Sequence, residues 1–307
     1  MSPRAAALFS LAVLGCSGGA SPGSFDAGLD DAPVSDTGVS VDATPDAAKS
    51  EAGVLEPDLD ALPWQTGANA GYGVAYKDTM NPRGDAVFIG YAGYGISLAS
   101  AEAWVTALYK ATLRDRGVRH VWAVQGPSTA SYSQLEIGNS KIAAALVPIA
   151  EKTTSFILIA GHSSGSFVAH ELLGQLAGGH DPNDVTKGRV VYFDLDGGGS
   201  GLDAAIVARL RRAYFVGARD GATWSPNATA MQSLGATFSS AGGYWEHDAS
   251  ASGCNSGARW CVHVTLVITR PHDPANADPA TDYSDFANRP VCTTWIEAKS
   301  AEAALHL

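Results

Sequence analysis

Several absences narrow the reading of this chain before any motif is considered. No run of eighteen apolar residues occurs, which argues against a membrane-spanning helix. There is no Cys-x-x-Cys and no His-rich tract, so no metal pattern is present. No basic stripe suggests a nucleic-acid partner, and no internal repeat suggests a solenoid. Charged residues make up only 17% of the chain against 46% apolar, which excludes disorder along the whole length and suits one large globular domain.

What charge there is lies unevenly. Residues 21–60 carry eight Asp, two Glu and one Lys, a net of −9 out of the formal −11 of the 307-residue chain. Residues 17–60 are otherwise Ser, Gly, Ala and Pro with hardly any aromatic side chain, so they cannot bury enough surface to offset the entropy of ordering. This segment is expected to be a solvated, self-repelling spacer. Residues 61–307 are left with a net of only −3.

Ahead of the spacer, MSPRAAALFSLAVLGC combines an early cation, a short apolar core and small residues before Cys16. That is the pattern of a secretion signal. Val13-Leu14-Gly15-Cys16 resembles the lipobox of bacterial lipoproteins, with Val13 where that family favours Leu. The resemblance implies that the leader pattern over 1–16 is cleaved just before Cys16, which becomes the first residue and carries a lipid that anchors the exported protein to the outer membrane or cell surface. The other reading is an ordinary signal peptide with a cysteine beside it. In an oxidising compartment, Cys254 and Cys261 suit a local disulfide, and Cys292 is expected to be a buried thiol.

From residue 84 onward, short β-rich runs alternate with helical ones. Strands are expected at 85–93, 118–124, 155–160, 189–196, 213–218 and 236–242, with an antiparallel edge within 71–80. Helices are expected at 100–117, 139–152, 166–178, 201–212 and 228–235. Strands that are apolar almost throughout, alternating with helices, imply an α/β fold with a mainly parallel sheet covered on both faces.

Within this pattern, Gly161-His162-Ser163-Ser164-Gly165 falls between an expected strand and an expected helix. A serine held on such a turn forces the backbone close on either side, so Gly161 and Gly165 avoid side-chain clashes. The following helix also directs its free amides at the place where an oxyanion would form. His162 is read as structural, pointing away from the serine.

Here the chain resembles the α/β-hydrolase fold, in particular secreted esterases and lipases, over roughly residues 85–297. The resemblance rests on this elbow, on the glycine-rich FIGYAGYG (88–95) and on the order serine, acid, histidine. It implies a serine hydrolase acting on carboxylic esters, Ser163 being the nucleophile, with no cofactor. The acid it implies is Asp220, at the end of AYFVGARD, with Asp194 and Asp196 of VVYFDLD as alternatives one strand earlier. The base it implies is His263, with His272 and His247 as rivals. The oxyanion donors are the amides of Ser164 and of Tyr91 or Ala92.

Two weaker matches complete the reading. GGSGLDAAI (198–206) matches part of a calcium β-roll repeat, but one copy is better explained by a helix N-cap. Tyr244, Trp245 and Trp260 could line an acyl pocket or serve as packing. The alternative function is a hydrolase-fold surface lipoprotein that binds an envelope component or partner without catalysis, and a third reading keeps the serine chemistry for amide bonds.

Overall fold

The computed structural model describes residues 62–66, 71–198 and 201–300, all belonging to one unit, Ala52–Leu307. The expected leader 1–16, with Cys16, and the spacer 17–60 lie outside the described residues. Eight strands form one sheet: β1 (Val74–Asp78), β2 (Ala86–Tyr91), β3 (Val118–Val124), β4 (Ile157–His162), β5 (Val190–Leu195), β6 (Arg212–Asp220), β7 (Thr223–Trp224) and β8 (Gly242–Asp248). The spatial order begins β1-β3-β2-β4-β5-β6, with β8 parallel to β6 and the two-residue β7 folding back antiparallel on the end of β6. Apart from β1 and β7 the sheet is parallel.

The middle strands are buried on both faces because their sequences have no polar face to give to water. Successive residues of AVFIGY, ILIAGH and VVYFDL alternate between two cores. Phe88, Leu158 and Val191 face one, and Ile89, Ile159 and Tyr192 the other. The first core is closed by α1 (Leu98–Leu108), whose Trp104, Val105 and Leu108 are fully buried. The second is closed by α2 (Tyr132–Lys152) and α3 (Gly165–Gln175). The remaining helices are α4 (Ala204–Val207), α5 (Ala228–Thr237), α6 (Arg259–Val264), α7 (Pro279–Asp282) and α8 (Thr294–Ser300). Among the described residues no helix is long and apolar enough to cross a membrane.

Three elements depart from the sequence expectation. Helix α2 starts at Tyr132, seven residues earlier than expected, and runs through Pro148. The helix expected over 201–212 shrinks to α4, because the Arg209 carbonyl accepts from Gly188 N–H and Arg211 N–H donates to the Val190 carbonyl, which draws the chain into the sheet. Asp203 does cap that helix, its carboxylate accepting from Ile206 N–H at 2.8 Å. The strand expected at 236–242 lies six residues later, as GGYWEHD, while 236–241 finishes α5 and makes a 3₁₀ turn. There the ladder with β6 begins only at Gly242, which pairs with Ala213.

Close approach explains the elbow's glycines. A Cβ on Gly161 would lie 2.6 Å from Ser166 Cα, and one on Gly165 would lie 2.4 Å from the Ala92 carbonyl oxygen. We expect Gly165→Ala to lower stability by about 1–3 kcal/mol, the usual cost of overpacking. Gly178→Ala, where nothing stands within 4 Å of the added carbon, should stay within about 0.5 kcal/mol. Thermal denaturation of the two variants would check this, and equal stability would refute the packing account.

Candidate active site

Strands β4 and β5 end side by side, and the residue that follows each adopts a left-handed backbone. Ser163 has φ 55° and Asp196 φ 54°, two of only four non-glycine residues with positive φ among those described. Such conformations cost energy unless the surroundings impose them, and they cluster at functional sites. Here the sheet imposes them. His162 pairs with Leu195, so Ser163 and Asp196 stand level. The Ser163 amide donates to the Leu195 carbonyl at 2.9 Å, and the Asp196 amide to that of Val216 at 2.8 Å.

Asp196 is fully buried and its carboxylate is satisfied. Oδ2 lies 2.6 Å from His263 Nδ1, Oδ1 accepts from Ser225 Oγ at 2.8 Å, and Asn227 Nδ2 donates to the backbone carbonyl at 2.7 Å. The carboxylate facing the histidine is thus one of the two alternatives and not Asp220, and register supplies the reason. Leu195 pairs with Val216, which puts Asp196 level with Gly217. Asp220 is three residues further along, about 10 Å at the usual rise of a strand, in the hairpin where it pairs with Thr223. Asp194 does not meet His263 either. It takes Ser166 Oγ at 2.8 Å and Gly197 N–H at 2.9 Å, with His170 Nε2 3.3 Å away, and so holds the turn that carries Asp196.

His263 comes from α6, outside the sheet. Cys261 lies in the same short helix and is bonded to Cys254, with Cα atoms 5.8 Å apart, so the segment entering α6 is closed into a loop. Cys292 is the buried free thiol expected of it. His263 and Ser163 both line a cavity of about 500 Å³, walled further by Gly93, Tyr94, Trp260 and Pro279. Neither Ser163 Oγ nor His263 Nε2 has a hydrogen-bond partner among the described residues, so the two are not bonded to each other here. Of the three aromatics considered for a pocket, Trp260 lines the cavity, whereas Tyr244 and Trp245 lie on β8 and pack against the core clusters.

Two of the amides expected as oxyanion donors are engaged in the sheet. Ala92 N–H donates to the Val124 carbonyl at 3.0 Å, and Tyr91 is inside β2, paired on both sides, with its hydroxyl donating to Asn139. Neither is available. Gly93 and Tyr94 reach the cavity instead. Gly93 N–H donates to the Tyr283 hydroxyl at 3.1 Å, while the amides of Tyr94 and Ser164 have no acceptor among the described residues. Ser164 is the N-cap residue of α3, where helix amides point free.

His162 is buried as expected but does more than fill space. Its ring centroid is 4.4 Å from that of His263, its Nδ1 meets the Tyr283 hydroxyl, and its Nε2 lies 3.3 Å from the His263 carbonyl oxygen. One proton arrangement satisfies the chain: Gly93 N–H to Tyr283, Tyr283 O–H to Nδ1, Nε2–H to His263. Burial, and then the neighbouring His263, push the His162 pKa well below the usual histidine range, which agrees with this neutral tautomer. His162 therefore ties the serine turn to the helix of His263 and, through Tyr283, to the Gly93 loop. Nothing in the sequence marked Tyr283, 121 residues away, as its partner.

Among the described residues no group of three His, Cys, Asp or Glu side chains could hold a metal ion. No known family model matches the chain, and comparison with curated proteins finds no match.

The rival histidines are placed elsewhere. His272 is exposed in a loop, its backbone amide donating to Asp282. His247, expected in an exposed loop, is buried in β8 with Nδ1 3.0 Å from Thr294 Oγ1. Burial pushes its pKa down to about 4. A histidine depressed in the folded state contributes stability above its unfolded pKa near 6.5 and loses it as pH falls toward the folded value. We expect stability to drop by about 2–3 kcal/mol between pH 6.5 and 4 from this residue, and His247→Gln to flatten part of that slope. Urea denaturation across this range would check it, and an unchanged slope in the variant would count against the assignment.

Proposed function

We propose that the protein is a serine hydrolase of α/β-hydrolase type that cleaves carboxylic esters, exported and anchored through Cys16. The observation that carries this reading is the contact of the buried Asp196 carboxylate with His263 Nδ1 at 2.6 Å, beside a cavity shared by His263 and a serine on a strained strand-to-helix turn. A mainly parallel α/β sheet with a serine turn after a central strand is compatible with that family.

In this mechanism Ser163 Oγ attacks the ester carbonyl carbon while His263 Nε2 takes its proton. The open bond between the two closes when substrate is engaged, as catalytic hydrogen bonds often do. Asp196 holds the imidazole with Nδ1–H toward itself and stabilises the imidazolium. The carbonyl oxygen becomes negative and is met by the amides of Ser164 and Tyr94, helped by the positive end of α3. As the intermediate collapses, the C–O bond to the alcohol breaks and His263 returns the proton to the departing oxygen. Water then repeats the sequence on the acyl-serine, releasing the acid and restoring Ser163.

A fluorophosphonate probe should label the purified protein, with labelling lost in Ser163→Ala and His263→Ala. Asp196→Asn should lower kcat on an activated ester by about 10⁴-fold, the effect of losing such a carboxylate. Asp220→Asn should leave kcat within about twofold, as befits a surface change. A folded protein that takes no label would turn the reading to the non-catalytic binding lipoprotein.

A further inference from the structure

A second cavity, of about 600 Å³, shares Tyr94 with the first. Its walls include Tyr94, Tyr132, Ser164, Phe167, His170 and Glu171. Ser164, which lines it, directly follows Ser163 in the chain, and Ser163 lines the first cavity. Two of the wall rings are unusually open for their size, Tyr94 at 61% and Tyr132 at 46%. Large apolar side chains exposed at the rim of a cavity mark a place where something binds.

Charge decides what that something is. Neither cavity is lined by Lys or Arg. Glu171, on α3, has only a 3.4 Å hydrogen bond from Asn139 Nδ2 and no cationic partner among the described residues. Burial, followed by the negative charge of Glu136, raises its pKa, and the same two carboxylates add to the upward push on Tyr132. A purely apolar group lying here would strip water from an unpaired carboxylate. An anion would be repelled. A cation relieves the field, and the faces of Tyr94, Tyr132 and Phe167 can attract it as well.

We propose that this cavity receives an ammonium group, with Glu171 as its counter-ion and the three rings as its walls, so that the preferred esters are cationic. The proposal rests on the hydrolase reading for the word ester and on the cavity alone for the ammonium. Two measurements separate these. In the first, kcat/KM of the purified full chain is compared for a choline ester and the uncharged 3,3-dimethylbutyl ester of the same acid, which has carbon in place of nitrogen. The expected preference for the cation is about tenfold, falling toward unity in Glu171→Gln and weakening with salt. Equal rates, or a preference that survives Glu171→Gln, would overturn the assignment. In the second, calorimetry with choline itself, which has no ester bond, should show binding to the parent chain and weaker binding to Glu171→Gln. Choline binding without hydrolysis of either ester would sink the hydrolase reading and keep the cavity's role. Turnover of the neutral ester without choline binding would do the reverse.

Discussion

The candidate site depends on one contact, that of the Asp196 carboxylate with the His263 ring across 67 positions of sequence. It is buried on both sides, so it holds only where the remaining lone pairs of the carboxylate are met. Ser225 and Asn227 meet them, and both come from the short stretch between β7 and α5. The hairpin after β6 therefore has a purpose that the strand order alone does not reveal. It turns the chain back so that the Ser225 hydroxyl and the Asn227 amide arrive at the Asp196 carboxylate beside the histidine.

Ser163 and Asp196 stand at the ends of sheet strands, and His263 does not. The ends of β4 and β5 set Ser163 and Asp196 level through ladder bonds that exist as long as the sheet exists. His263 is held by a six-residue helix, a disulfide and a hydrogen bond from His162 to its own carbonyl. This division puts the least regular element where the proposed mechanism asks for proton transfer in two directions. His162 and Tyr283 give that element a footing on the sheet.

The parallel sheet was legible because strands such as ILIAGH and VVYFDL leave no face for water, and the serine turn because glycines flank it at close approaches. Both are local properties. Which carboxylate meets His263 was not legible in the same way. Asp220 and Asp196 each end an apolar strand before glycine, and only the register of β5 on β6 shows that one stands level with the serine and the other overshoots. That Tyr91 and Ala92 would be engaged by neighbouring strands was hidden for a similar reason, since their pairing depends on where β2 stops. The bond from Tyr283 to His162 spans 121 residues and leaves no periodic trace in the chain.

The left-handed backbone at Asp196 also limits how the chain can vary. Only glycine, asparagine and aspartate occupy that conformation readily. Glutamate, the one other residue that would keep the charge, brings an extra methylene into a fully buried position and a backbone it resists. Asparagine fits the shape and removes the charge. On the proposed mechanism, a lineage carrying this fold can thus fall silent at Asp196 through one conservative exchange that leaves the architecture standing, and can regain activity through the same exchange reversed. No intermediate carboxylate lies between those two states.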